Sequence, residues 1–294
     1  ARMLKSTAVL PAMFTLFNGL AGFGAIHFAT KLGMDAPLNE AAMDNLSISA
    51  WLIALAMVFD MLDGRVARWT RTTSDFGAQL DSLSDFLAFG VAPSLLLYVW
   101  VLDEAGRLGW IATIVLPMAA ALRLARFNVM AKKVDELPVW KRAYFSGVPA
   151  PAAAGLALFP VYFSLMFSDS FHEFSFATPM IAVWELIVAA LMVSRIPTFS
   201  FKKILVPSKM TVPLMALIGA LIAAVIHVPF LMLSLIWVVY AGLLILAGFL
   251  ARFRPIRLLG VVVLGLLVVK MLTLDLSVLE AGYRIASFMG VGVV

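Results

Sequence analysis

A bundle of α-helices that crosses a lipid bilayer several times is the fold this sequence predicts, and three observations carry that reading. Of the 294 residues, 63% are hydrophobic and only 13% are charged, and the mean hydropathy is +1.02, far from the makeup of a soluble globular domain. Apolar stretches recur along the whole length, each near the ~20 residues that cross about 30 Å of hydrocarbon. The charged residues fall between those stretches, basic in one set of loops and mostly acidic in the other. The class is therefore all-α, a multi-pass transmembrane helical bundle without a separate soluble domain.

Taken in order, the apolar runs place helices at about Thr7–Thr30, Ile48–Arg65, Leu80–Val101, Trp110–Asn128, Ala143–Phe167, Thr178–Val193, Thr211–Ile226, Pro229–Ala251 and Ile256–Leu272. The first run is long and lacks a small-residue cleavage site, so it is expected to stay as a span and not to be removed as a secretory signal. The second and third are joined by the short connection Gly64 to Gln79, which returns the chain as an antiparallel neighbour. The fourth ends in Ala121-Leu122-Arg123-Leu124-Ala125-Arg126-Phe127-Asn128, and the fifth opens with Gly147-Val148-Pro149-Ala150-Pro151. Glu185 stands alone in the sixth, where a bare charge is unfavourable, so it is expected to face a cavity or the interface. The final stretch, Leu279–Val294, is short for a span and reads either as a tenth crossing or as an interfacial helix.

Loops after the even-numbered spans hold Arg65, Arg68 and Arg71, then Lys132, Lys133, Lys141 and Arg142, then Lys202, Lys203 and Lys209, then Arg252, Arg254 and Arg257. The odd loops hold mostly acids: Asp35, Glu40 and Asp44, then Asp103 and Glu104, then Asp169 and Glu173. By the positive-inside rule the N-terminus, with Arg2 and Lys5, lies in the cytoplasm. The net charge of +5 and pI near 9.6 are spread over these loops instead of forming one basic run. This excludes a nucleic-acid partner and points to anionic membrane lipids. With no cysteine, disulfides, thiolate metal sites and cysteine nucleophiles are excluded, which leaves oxygen ligands as the metal chemistry.

Four aspartates break the apolar pattern. Asp60 and Asp63 are three apart near the end of the second span, and Asp81 and Asp85 are four apart at the start of the third. Each spacing puts its pair on one helical face, so antiparallel spans let the two faces converge. Ionised carboxylates at membrane depth are costly unless something compensates them. Four together would take up protons or bind hard divalent cations such as Mg²⁺ or Mn²⁺. Gly64, Ala67 and Gly77 suit a place where a ligand or helix approaches the backbone closely, and Arg68, about a turn past Asp63, offers a fork-shaped cation to a phosphate. The plainer reading, acids paired with Arg65, Arg68 and Arg71 at a solvated edge, explains any one aspartate better than it explains all four.

From Asp60 to Asp85 the chain reads D-x2-D-G-x2-A-R-x8-G-x3-D-x3-D, and this resembles the signature of the CDP-alcohol phosphotransferase family at every fixed position. The resemblance implies a six-span catalytic core, usually homodimeric, that moves a substituted phosphate from a CDP-alcohol to a second alcohol and releases CMP. It implies Asp60, Asp63 and Asp81 as ligands of a divalent cation, Mg²⁺ or Mn²⁺, and Asp85 as both ligand and general base. Gly64, Ala67, Arg68 and Gly77 would shape the CDP pocket. The core is assigned to residues 1–205, two additional transmembrane helices to 206–254, and an apolar tail of unassigned role to 255–294.

Further stretches are similar to the membrane-embedded phosphatidylserine synthases of that family: Leu10-Pro11 with Thr15 and Asn18, the Arg123 to Asn128 stretch, Gly147 to Gly155, and Arg195 to Lys203. They imply CDP-diacylglycerol and L-serine as substrates, with the site on the cytoplasmic side of the inner membrane. Arg123 and Arg126, three apart on one face, suit the acceptor or the lipid phosphate, or else anchor the fourth span. Asn18 is polar within an apolar helix, and could reach the CDP pocket, with which it is grouped, or bond a neighbouring helix. Asn128 could cap a helix end. His27, His172 and His227 share no ligand spacing. The rival readings are a sister enzyme with glycerol 3-phosphate, inositol phosphate or choline as acceptor, a cation transporter, and a non-catalytic scaffold. A transporter would want a second polar cluster leading across the bilayer.

Overall fold

The computed structural model of the protein describes residues 9–33, 40–70, 74–131, 144–166, 177–194, 197–199, 219–221 and 223–250. The chain divides into two compact units, Ala1–Val239 and Tyr240–Val294. The first holds nearly all of the described elements: α1 (Val9–Thr30), α2 (Glu40–Thr70), α3 (Asp75–Trp100), α4 (Arg107–Ala131), β1 (Tyr144–Ser146), α5 (Ala150–Ala157), α6 (Phe159–Met166), α7 (Ala177–Val193), β2 (Pro197–Phe199) and the start of α8 (Pro229–Leu250). Of the second unit, the described residues are the end of α8. Among the described residues four helices, α1 to α4, are long and apolar enough to cross a membrane, and Thr178–Val193 and Pro229–Leu244 are shorter apolar helices.

Side-chain contacts give the helix directions. Thr15 meets Asp63 and Ser49 Oγ donates to the Ala25 carbonyl at 2.8 Å, so α1 and α2 run antiparallel. Asn18 meets Asp85, and a Cβ on Gly22 would come 2.9 Å from Ala88 Cα, so α1 and α3 run parallel and nearly touch. Ser82 meets Asn128 and Ser94 meets Thr113, which makes α4 antiparallel to α3. Arg126 meets Val193 and Glu104 meets Thr178, which makes α7 parallel to α4. Gathered at one end are therefore the start of α1, the end of α2, the start of α3 and the ends of α4 and α7.

The interior combines large apolar groups, Leu46, Ile53, Phe89, Leu96, Leu97, Leu116 and Tyr162, with alanines, and all seven are fully buried. The outer surface is also apolar, with Leu20, Phe23, Met118 and Leu122 each more than half exposed. That is the surface required of a bundle whose solvent is lipid. Within α3 the turns widen to a π-helical stretch at Phe86–Val91, directly after Asp85. Gly90 lies in this stretch, where a Cβ would come 3.0 Å from that of Ala120.

Several boundaries differ from the expectation. Glu40 and Asp44, expected in a loop, begin α2, which also runs past Arg65 to Thr70. The expected fifth span is two short helices meeting at Leu158, preceded by a strand. That strand, β1, pairs antiparallel with β2 through Tyr144↔Phe199, Phe145↔Thr198 and Ser146↔Pro197. Gly147, at φ 80°, makes the turn out of β1, and a Cβ there would crowd the carbonyls that end α7. Glu185, expected at a cavity or the interface, is fully buried and lies against Ser94 of α3. Lys202, Lys203, His172, most of the expected Thr211–Ile226 span and the tail beyond Leu250 lie outside the described residues.

Candidate active site

α2 carries Asp60 and Asp63 two to three turns before its end, and α3 carries Asp81 and Asp85 within its first three turns. What lets α3 begin there is Ser74, whose backbone is extended (φ −136°, ψ 152°) and whose Oγ accepts from the Gly77 N–H at 3.0 Å. This is an N-cap, and it satisfies one of the otherwise unpaired donors of the first turn. Gly77, expected in the nucleotide pocket, is thus placed by its own helix cap, and a Cβ there would sit 3.1 Å from Ser74 Oγ.

One oxygen each from Asp60, Asp63 and Asp81 lies within 4.8 Å of the others. Asp63 is buried and Asp60 and Asp81 are half-buried. Asp85 stands outside this triplet, yet interacts with Asp60, while Asp63 interacts with Asp81. Each of two acids also takes a hydrogen bond from α1. Thr15 Oγ1 donates to Asp63 Oδ2 at 2.9 Å, and Asn18 Nδ2 donates to Asp85 Oδ1 at 3.0 Å. Asp81 Oδ1 is buried and has no hydrogen-bond partner among the described residues.

This arrangement suits a divalent cation. The donor set is oxygen alone, the preference of hard cations, and oxygens around a small divalent ion stand roughly 3–4 Å apart, close to the spacing here. The uncompensated Asp81 oxygen supplies a further reason, since a buried carboxylate oxygen without a donor is costly. Asp60, Asp63 and Asp81 could therefore hold a metal ion.

The remaining candidate residues fall around this centre unevenly. Gly64 is exposed, and a Cβ there would meet nothing within 4 Å. Ala67 is half-buried. The exposed Arg68 folds back so that Nε donates to the Gly64 carbonyl at 2.8 Å, which uses one of the five donors of its guanidinium. The two arginines of α4 separate: Arg123 acts electrostatically on Asp60, whereas Arg126 Nη1 donates to the Val193 carbonyl at 2.9 Å at the end of α7. Among the described residues the partner of the Asn128 side chain is Ser82, within α3, and not a helix end. Its Nδ2 donates to Ser82 Oγ at 2.9 Å and ties α4 to α3 beside Asp81.

Sequence reasoning missed the part played by Thr15, which it noted without a role. The available signal was the three-residue spacing of Thr15 and Asn18, the two polar side chains that α1 turns inward among apolar ones. It also missed the π-helical stretch after Asp85, for which hydropathy has no signature.

Comparison with known proteins places the chain in a family. The family profile described as CDP-alcohol phosphatidyltransferase matches residues 8–194, which include every site element described above. The chain is 32% identical over 239 residues, 81% of its length and 73% of the relative's, to a CDP-diacylglycerol–serine O-phosphatidyltransferase of Mycobacterium leprae. It is 34% identical over 197 residues, 67% of its length and 74% of the relative's, to a protein of the same description from Helicobacter pylori. An archaetidylserine synthase of Methanothermobacter thermautotrophicus is 33% identical over 201 residues, 66% of this chain and 73% of that one. With three aspartates converging across α2 and α3, the fourth beside them, and a match over more than half of its length, the chain belongs to the CDP-alcohol phosphatidyltransferase family, a family of transferases.

Proposed function

We propose that this chain transfers the phosphatidyl group of CDP-diacylglycerol to the hydroxyl of L-serine and releases CMP, with Mg²⁺ or Mn²⁺ at the aspartate cluster. The observation that carries the reading is the convergence of Asp60, Asp63 and Asp81 within 4.8 Å, with Asp85 beside them, at one end of the bundle. Relatives described as acting on serine span most of the chain, and they favour serine over glycerol 3-phosphate, inositol phosphate or choline.

In this reading Asp60, Asp63 and Asp81 hold the cation. When bound, it would neutralise charge on the pyrophosphate and on the departing CMP. Asp85 accepts the proton of the serine hydroxyl as its oxygen forms a bond to the phosphatidyl phosphorus and the bond from phosphorus to the CMP oxygen breaks. A carboxylate is a weak base for an alcohol, so positioning and electrostatics must supply most of the acceleration, as in phosphoryl transfer generally. Gly64 and Ala67 let the nucleotide approach α2, and Arg68 presents its guanidinium to a phosphate. Arg123, which acts on Asp60, is the cation assigned to the lipid phosphate or the serine carboxylate, and Arg126 holds the helix end beside it. Residues 1–205 would form the six-helix core, the protein would pair as a homodimer, and the site would face the cytoplasm of the inner membrane. The basic loops support that orientation.

The test is CMP release by the purified protein in detergent with CDP-diacylglycerol. L-serine should stimulate it, a chelator should abolish it, and Mn²⁺ or Mg²⁺ should restore it. Asp85→Asn should lose at least about a hundredfold in turnover while purifying as a folded protein. Stimulation by another alcohol would replace the acceptor, and metal-independent release would remove the cation from the mechanism.

A further inference from the structure

The first helix contributes two side chains to the acidic centre, each by one hydrogen bond to a carboxyl, and Asn18 Oδ1 has no partner among the described residues. Thr15 and Asn18 are three apart on one face of α1, 5% and 0% exposed. Thr15 Oγ1, which also approaches the Pro11 carbonyl at 3.2 Å, reaches Asp63 Oδ2 at 2.9 Å, and Asn18 Nδ2 reaches Asp85 Oδ1 at 3.0 Å. Each bond takes one oxygen of its carboxyl, and the Asp63 carboxyl is met as well by the Gly64 backbone and by Asp81. The two acids so held sit on different helices and belong to different sets, since Asp63 is one of the three converging oxygens and Asp85 stands outside them.

We propose that α1 is a positioning element with divided labour: Thr15 orients Asp63 as a cation ligand, and Asn18 orients Asp85 as the proton acceptor. The inference rests on the function proposed above and deepens it. It moves Asn18 out of the CDP pocket, where the sequence had grouped it, and gives Thr15 a task.

The physical argument concerns freedom of rotation. A carboxyl with no donor turns about its last torsion with little resistance, and a base must lie within about 2.6–3.2 Å of the proton it takes. A misplacement of about 1 Å costs on the order of a hundredfold in rate. A buried donor to a charged group makes one of the stronger hydrogen bonds a protein has, and both bonds here are buried. With Oδ1 held by Asn18, the Asp85 carboxyl also interacts with Asp60 of α2. A ligand role for Asn18 would not require this bond. A purely packing role would not require both bonds of α1 to end on the reacting acids.

The experiment compares Asn18→Leu, Thr15→Val and Thr15→Ser with the wild type. It measures kcat, KM for CDP-diacylglycerol, and Mn²⁺ binding by electron paramagnetic resonance in the absence of substrates. Asn18→Leu should lower kcat about tenfold to a hundredfold while KM and Mn²⁺ affinity stay within twofold. Thr15→Val should weaken Mn²⁺ binding about tenfold and recover its kcat at saturating Mn²⁺, and Thr15→Ser should restore the affinity. A raised KM with unchanged kcat in Asn18→Leu would make Asn18 a nucleotide ligand and overturn the proposal. So would a lowered thermal midpoint with kcat and Mn²⁺ binding unchanged, the mark of packing alone. Should Asn18→Leu fail to fold, Asn18→Ala takes its place, and unchanged Mn²⁺ affinity in Thr15→Val overturns the proposal by itself. Wild-type protein that shows no serine-dependent CMP release sinks the proposed function instead, and the Mn²⁺ measurements still read the Thr15 bond.

Discussion

Arg123 and Arg126 stand about one turn apart on α4, yet their charges have different partners. Arg123 acts on Asp60, and Arg126 closes the end of α7 by donating to the Val193 carbonyl at 2.9 Å. The last carbonyls of a helix are unpaired within it and carry its negative pole, so a cation there is favourable. Arg126→Leu should therefore act on stability, by about 1–3 kcal/mol, seen as a lower thermal midpoint in detergent, with KM for serine within twofold of wild type. A large rise in that KM with unchanged stability would instead place Arg126 at the acceptor. At this scale the aspartates were legible because their chemistry is local: the i, i+3 and i, i+4 spacings show which acids share a face before any neighbour is known. The partners of Thr15, Asn18, Arg126 and Asn128 were not, because each lies dozens of residues away in the chain and depends on how α1, α4 and α7 are set against the others.

At the scale of elements, the same substitution should have opposite consequences at two glycines. A Cβ on Gly22 would lie 2.9 Å from the backbone of Ala88, inside the π-helical stretch that follows Asp85. Gly22→Ala must therefore push α1 from α3, at about 1–3 kcal/mol for an overpacked contact. Since Asn18 lies one turn earlier on the same face, kcat should fall together with the thermal midpoint. At Gly64 a Cβ would meet nothing within 4 Å, and alanine there favours the helix by roughly 0.5–1 kcal/mol. Gly64→Ala should keep or raise the thermal midpoint and raise KM for CDP-diacylglycerol, if the nucleotide approaches α2 at that point. Thermal unfolding and steady-state kinetics on both variants check the pair. Helix centres were legible from hydropathy, but helix ends were not. Residues 40–47 and 65–70 are polar enough to read as loop, although Glu, Ala, Met, Leu and Arg favour a helix. The β1–β2 pair escaped because three-residue strands are too short for an alternating pattern, and their pairing joins loops more than fifty positions apart.

Across the whole of the first unit, the helix directions gather Thr15, Asn18, the four aspartates, Asn128 and Val193 at one end and leave Glu104 with Thr178 at the other. Arg65 and Arg68 accompany the site, whereas Asp103 and Glu104 accompany the far end, and that asymmetry is the one the positive-inside rule uses. By that rule the charge pattern, legible in the sequence alone, would set the site end on the cytoplasmic side. It leads to a prediction that needs no enzymatic assay. The chain has no cysteine, so a single introduced thiol is labelled without background. Asp75 and Arg107 are both exposed and both open a helix, α3 at the site end and α4 at the far end. In right-side-out vesicles a membrane-impermeant maleimide should label Arg107→Cys and spare Asp75→Cys, and in inverted vesicles the two should exchange. Labelling of both from one side would mean that α3 does not cross the bilayer, and the topology would fail. Labelling in the reverse sense would leave the bundle intact and turn it over, so that CDP-diacylglycerol and serine would have to arrive from outside the cytoplasm.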